Sequence, residues 1–357
     1  MPDVPAPAPA PSTGAWRPGP PPPPPSARRG GPTVIALVLA LLVLVGAAAA
    51  WGLRASVGSG AGAGSPEAAA QQLVQALADQ DLDRAAELVN GVESRALEVY
   101  GDQLTGLLTD RLQLGGQSGH PTDFTATDVR FRQVAGSGDI EVVELSGGTF
   151  GANGLELNAG QVNQRVSEAT DGRMDAVRLI ALRDDGRWRV GVLASMANAI
   201  LTSAGVGPAD PAVLLSGPTA DGAANPKAAV TAVLDRLADG DASGAVARLV
   251  PDEARVVGGA RAAAAAAPPP PGAPANWPDE WLSGRLPGGG LRIDGLELRE
   301  EQVADGVVRV TVTGQVAPPG QQPEPLPAEG VAVMVLRDGD LWYPSLVFTA
   351  VDQALRG

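Results

Sequence analysis

His120 is the only histidine in the sequence, and it stands in the Gly-rich stretch GGQSGHPTDF, where a solvated loop side chain is a plainer reading than an acid or base. Proton transfer near neutral pH needs a group whose pKa burial can tune, and beyond His120 the candidates are two tyrosines and one polar row. Tyr100 falls on the apolar spacing of a helix, which reads as a core or rim position ahead of a catalytic hydroxyl. Tyr343 follows Trp342, whereas Arg189 follows the matching Trp188. Asp128, Arg130 and Arg132 alternate along a strand-like run; the row could activate a water, and it equally describes the wet face of a half-buried strand. The acidic pairs Asp184-Asp185 and Asp338-Asp340 have turn spacing and lack the alternating oxygen ligands of a calcium loop. There is no Cys, no Gly-rich phosphate loop, no nucleophile elbow and no His cluster. The expectation is therefore no catalytic residue, no metal site, no cofactor and no enzyme.

Trp277 and Trp281, in NWPDEWLSG, differ in kind from these. Four residues apart, they share one side of a helical turn beside a Pro-rich stretch. They read either as packing onto a neighbouring sheet or as an exposed pair that contacts a partner, since buried Trp often dominates interface energetics.

The elements that position these residues come in two copies. SPEAAAQQLVQALADQDLDRAAELV opens at Ser65, and NPKAAVTAVLDRLADGDASGAVARLV opens at Asn225 with the same pattern. Each has a capping Ser or Asn, a Pro at the first helical position, and a fresh Asp cap for a second short helix. Ala70, Leu73, Val74 and Leu77 repeat at an offset of 160 as Val230, Val233, Leu234 and Leu237. VRLIALRDDGRWRVGVL (177–193) and VAVMVLRDGDLWYPSLV (331–347) each read as a closing hairpin. Further strand-like runs lie between, so each copy is helices followed by antiparallel strands. In the middle the copies differ. The first has VESRALEVYGDQLTGLLTDRLQL, a third helix, and the second has GGARAAAAAAPPPPGAPANWPDEW, an alanine run read as briefly helical until Pro stops it, with a mobile insertion after it.

The remaining segments are set by composition. Residues 1–32 are Pro-rich and read as a disordered cytoplasmic tail, either a spacer or a docking segment for a cytoplasmic partner. From Thr33 the chain is uncharged and apolar to Leu53, the length of a transmembrane helix, with Arg17, Arg28 and Arg29 before it. The alternative is a signal sequence cleaved near Ala47–Ala50. The expected domains are thus tail 1–32, transmembrane helix 33–53, flexible linker 54–64, first domain 65–200, linker 201–224, and second domain 225–357 with an insertion at about 257–276. Residues 65–357 carry 22 basic and 39 acidic side chains, a surface of the wrong sign for nucleic acid.

A bent helix pair with a P-[EK]-A-A start, a D-x-D corner and a curved antiparallel sheet ending in a hairpin is similar to the NTF2-like superfamily, here in tandem. The resemblance implies an α+β fold class, two NTF2-like (cystatin-like) domains of helices plus a curved antiparallel sheet, behind one transmembrane helix. Such domains include isomerases, hydrolases, ligand binders and interaction modules, so fold alone does not decide function. The expectation is a non-catalytic, single-pass protein of the cytoplasmic membrane with extracytoplasmic domains, binding or scaffolding a membrane or envelope partner. The alternatives are capture of a small hydrophobic or lipid ligand in one cone and, last, an isomerase or hydrolase.

Overall fold

The computed structural model describes residues 62–79, 81–111, 124–152, 155–267, 290–317 and 321–356. In the first half Ser65 caps α1 (Pro66–Ala78) by accepting the Ala68 N–H at 3.1 Å, and Asp81 caps α2 (Leu82–Leu88) by accepting the Arg84 N–H at 2.9 Å. The chain continues through α3 (Gly91–Arg111), β1 (Thr125–Ser137), β2 (Ile140–Ala152), β3 (Leu155–Asn158), α4 (Ala159–Ala169), β4 (Arg178–Asp184), β5 (Arg187–Gly191) and α5 (Val192–Ser203). A single turn, α6 (Pro211–Leu214), follows in the stretch expected to be a linker, and it buries Leu214 completely.

The second half repeats the plan. Asn225 caps α7 (Pro226–Ala238) through the Ala228 N–H, and Asp241 caps α8 (Ala242–Val246) through the Gly244 N–H. Then come α9 (Pro251–Ala266), β6 (Arg292–Ala304), β7 (Val307–Ala317), β8 (Glu324–Pro325), β9 (Val331–Asp338), β10 (Leu341–Ser345) and α10 (Leu346–Arg356). Both sheets are antiparallel and ordered alike, β1-β2-β4-β5 with β3 on β2, and β6-β7-β9-β10 with β8 on β7. Each is bent at a matching bulge. Asp128 (φ 52°) lies opposite Gly148 in the first sheet, and Gly295 (φ 63°) lies opposite Gly314 in the second. A Cβ on either facing glycine would strike backbone across the strand.

The central strands are buried on both faces, and alternation decides which core each residue joins. Val143, Leu179 and Ala181 point to α1 and α2, whereas Val142 and Ile180 point the other way. That second face is covered by α5 and by α9, a helix of the other half, through Val256, Ala260 and Ala264. The second sheet is treated likewise. Val308, Val310 and Val335 face α7, while Val307, Met334 and Leu336 face α10 and the first half's α3, through Val92, Ala96 and Tyr100. The halves thus exchange their third helices. Burial of side chains such as Leu336 or Phe348 contributes about 1.5–3 kcal/mol each relative to exposure, so this seam holds the halves together as strongly as a core.

Several expectations are corrected. The insertion placed from about residue 257 begins inside a helix: α9 carries the alanine run to Ala266, just before the Pro stretch, and its Val256, Ala260 and Ala264 join Leu201 of α5 and Leu214 of α6 in one core. The transmembrane part of the expected fold class, and with it the single-pass membrane localisation, is not upheld. Among the described residues no helix is long and apolar enough to cross a membrane. The longest, α3, has 21 residues but carries Glu93, Arg95 and Glu98 in its first turns. Residues 33–53, where the span was expected, lie outside the described residues, as do the tail 1–32, the linker 54–61, His120, Trp277 and Trp281. The fold class that stands is α+β with two antiparallel sheets.

Candidate functional site

The sequence-derived candidates do not converge. Asp128 is the bulge residue, so it falls out of the alternation with Arg130 and Arg132. Arg132 instead pairs with Glu144, which also holds Arg178 at 3.0 Å, an ion-pair row on the outer face. Tyr100 is 1% exposed and packs against Phe348 with ring centroids 5.6 Å apart, inside the seam between the halves. Burial, with the nearby Asp352 carboxylate second, pushes its hydroxyl up to about 12, so it keeps its proton at neutral pH. Asp352 is itself occupied by Arg309, whose Nε donates to it at 3.1 Å. Tyr343 is buried in β10, and Asp184-Asp185 and Asp338-Asp340 form the expected hairpin turns.

The chemistry instead gathers where each exchanged helix begins. Glu93 and Glu253 are the third residues of α3 and α9, 160 positions apart. Glu253 is fully buried and caps α10. Its Oε1 accepts the Val347 N–H at 3.0 Å and the Ser345 hydroxyl at 2.6 Å, and its Oε2 accepts the Leu346 N–H at 2.6 Å. Glu93 stands in the same relation to α5, with Oε1 accepting the Leu193 N–H at 2.9 Å. Its Oε2, buried, has no partner. The residue matching Ser345 in the first half is Gly191, which has no hydroxyl to give. Burial therefore dominates Glu93 and raises its pKa to about 7, backbone N–H bonds opposing, with Asp252 and Glu253 adding repulsion. Burial raises Glu253 as well, against its three donors.

A second pair of equivalent residues separates the two ends further. Arg95, on α3, clamps the turns of the second sheet, donating to the carbonyl oxygens of Arg337 at 2.7 Å, Gly306 at 3.0 Å and Asp305 at 3.3 Å. Arg255, its counterpart on α9, is exposed and makes no such clamp; its charge acts on Asp252. Where Arg95 fills the space over the second sheet, the space over the first is a cleft of about 440 Å³. Glu93, Gly191, Leu193, Asp252, Arg183 and Arg255 are among its walls. Asp252 is held there by accepting the Val92 N–H, and its carboxylate lies where a Cβ on Gly91 would stand. Burial raises the pKa of Asp252 too.

Comparison with known protein families, curated proteins and solved structures finds no match. Among the described residues no group of three or more His, Asp or Glu side chains could hold a metal ion. The cleft holds one carboxyl poised near neutrality and a rim of mixed charge. The Ser195 hydroxyl near its floor is engaged at both ends, donating to the Gly191 carbonyl at 2.7 Å and accepting the Ile180 N–H at 2.8 Å. Sequence reasoning missed Glu93 and Glu253, although a signal was present. GVESR at 91–95 and PDEAR at 251–255 place an identical Glu-x-Arg at the same 160-residue offset as the helix caps.

Proposed function

We propose that the chain is a non-catalytic binding protein, in which two duplicated α+β halves, similar to NTF2-like domains, are locked by helix exchange beside a ligand cleft. The observation that carries this reading is the asymmetry of the two ends: the same construction is closed by Arg95 over the second sheet and open at Arg255 over the first. A cleft of this size suits a small ligand, and its carboxylates and guanidinium groups suit a polar one. The helix-covered faces of both sheets are packed by side chains such as Leu73, Leu77 and Val310, which favours the cleft over a cone as the place of binding. Glu93 has the pKa of a general acid, but its twin Glu253 is a helix cap and nothing more, and this supports binding over catalysis. A metabolite library screened by chemical-shift perturbation on the full chain should give hits that move the Gly191 and Leu193 amides. Hits confined to other surfaces, or none, would refute the reading.

A further inference from the structure

The exchanged helices begin beside one another, and carboxyls crowd the place where they meet. Asp252, in the first turn of α9, accepts the Val92 N–H in the first turn of α3, and so ties one half to the other. Glu93, the next residue of α3, accepts the Leu193 N–H from the first turn of α5. Its Oε2 is buried without a partner. A neutral carboxyl there leaves one hydroxyl unserved, whereas an ionised one leaves a charge unserved, which costs far more. The neighbouring charges sharpen that contrast. Asp252 and Glu253 of α9 act on Glu93 with its own sign, and α5 brings no ionisable side chain. Asp252 in turn feels Asp184 and Asp338, in the hairpin turns of the two sheets, against Arg255 of its own helix. Asp139 and Arg183 face the same cleft 4.0 Å from each other, and Arg95 of α3 is held by carbonyl oxygens of the second sheet.

We propose that this junction is a proton-operated latch: with Glu93 protonated the first turns of α3, α5 and α9 are closed on one another, and loss of that proton opens them locally while both sheets stay folded. The latch belongs to the seam and is independent of what the cleft binds. Three features confine the opening. All three turns border the cleft, through Gly91, Leu193 and Asp252, so a small outward movement brings water to an ionised Glu93. Helix ends open at lower cost than the middle of a sheet. The repulsion from an ionised Glu93 also falls on Asp252, the side chain that ties α9 to Val92. The equivalent place in the second half is better secured, since Glu253 accepts from the Ser345 hydroxyl and from the Leu346 and Val347 N–H groups.

The test is native-state hydrogen exchange of the full chain by NMR between about pH 4.5 and 8, each rate corrected for the intrinsic base dependence of exchange. The Val92 and Leu193 amides are the reporters, since they bond to Asp252 and Glu93 themselves. Glu93 titrates at about 7 when closed and near its ordinary 4.5 when open. Opening should therefore grow as pH rises between those values, by about tenfold per unit and roughly 300-fold in all, and level off above about pH 7. Dilute urea should leave the two reporters nearly unchanged, because little surface is exposed, while it speeds the buried Leu73 and Leu77 amides of α1. Glu93→Gln should remove most of the pH dependence. If that variant does not fold, Asp252→Asn serves: with one like charge gone, the levelling-off should move below pH 7. A flat profile in the wild type, one that survives Glu93→Gln unchanged, or one unmoved by Asp252→Asn would overturn the latch. Reporter rates as sensitive to urea as those of α1 would overturn it too, since the pH dependence would then belong to unfolding of the whole chain.

Discussion

Replacing Glu93 with Gln should remove a pH dependence that the fold owes to one side chain. The carboxyl titrates at about 7 in the folded protein against an ordinary 4.5. Below about pH 4.5 both folded and unfolded chains hold the proton, and the group contributes no difference. As pH rises from there, the unfolded chain releases its proton while the folded one keeps it, so stability falls. Above about pH 7 both are ionised and the loss is complete. The shift corresponds to about 3 kcal/mol, since each pKa unit is worth about 1.4 kcal/mol. Asp252 and Glu253, the other carboxyls facing Glu93, are unchanged in the variant, so the difference between the two proteins isolates position 93. Gln keeps an oxygen to accept the Leu193 N–H and cannot ionise. Urea unfolding of both proteins, from about pH 4.5 to 8, should show the variant gaining about 3 kcal/mol relative to wild type, with the change centred between pH 5 and 7. Parallel stability profiles would refute the claim that burial outweighs the donors Glu93 has.

Three further outcomes are expected. Tyr100→Phe removes a buried hydroxyl with no partner, so its unfolding midpoint should match wild type or rise by up to about 1 kcal/mol; a clear loss would reveal a hidden hydrogen bond. Asp352→Ala leaves the Arg309 guanidinium, 12% exposed, with the exposed Glu301 carboxylate at 2.6 Å as its partner, and should cost about 1.5–3 kcal/mol in chemical unfolding, whereas no loss would mean the pair is structurally idle. Residues 62–208 and 209–356 made as separate fragments should each lack a sharp thermal transition by circular dichroism, and mixing them should restore one, because each half's sheet is covered by the other's third helix. Cooperative unfolding of either fragment alone would contradict the exchange.

Much of the local structure was legible in the sequence. The Ser65, Asp81, Asn225 and Asp241 caps and both closing hairpins follow from short-range chemistry, and they sit where the pattern placed them. The exchange was not legible. A helix's apolar spacing says that Val92, Ala96 and Tyr100 share a face, but nothing local says which of two similar sheets that face meets. The extent of α9 was underread for a related reason: its small side chains carry little hydrophobic signal, and their value lies in the close approach they permit to α6, where a Cβ on Gly259 would strike the Leu214 carbonyl. The cleft was further out of reach. Glu93, Gly191 and Asp252, which wall it, come from three separate stretches of the chain, and no local pattern joins them.

The helix exchange also governs how such a chain can diverge. In an ordinary tandem repeat, each copy can drift while it stays consistent with itself. Here a substitution in α3 is judged by the sheet of the other copy, as Arg95 is by carbonyl oxygens up to 242 positions away. Correlated substitutions should therefore run between the copies more strongly than within them, and neither copy can be transplanted, lost or replaced without its twin.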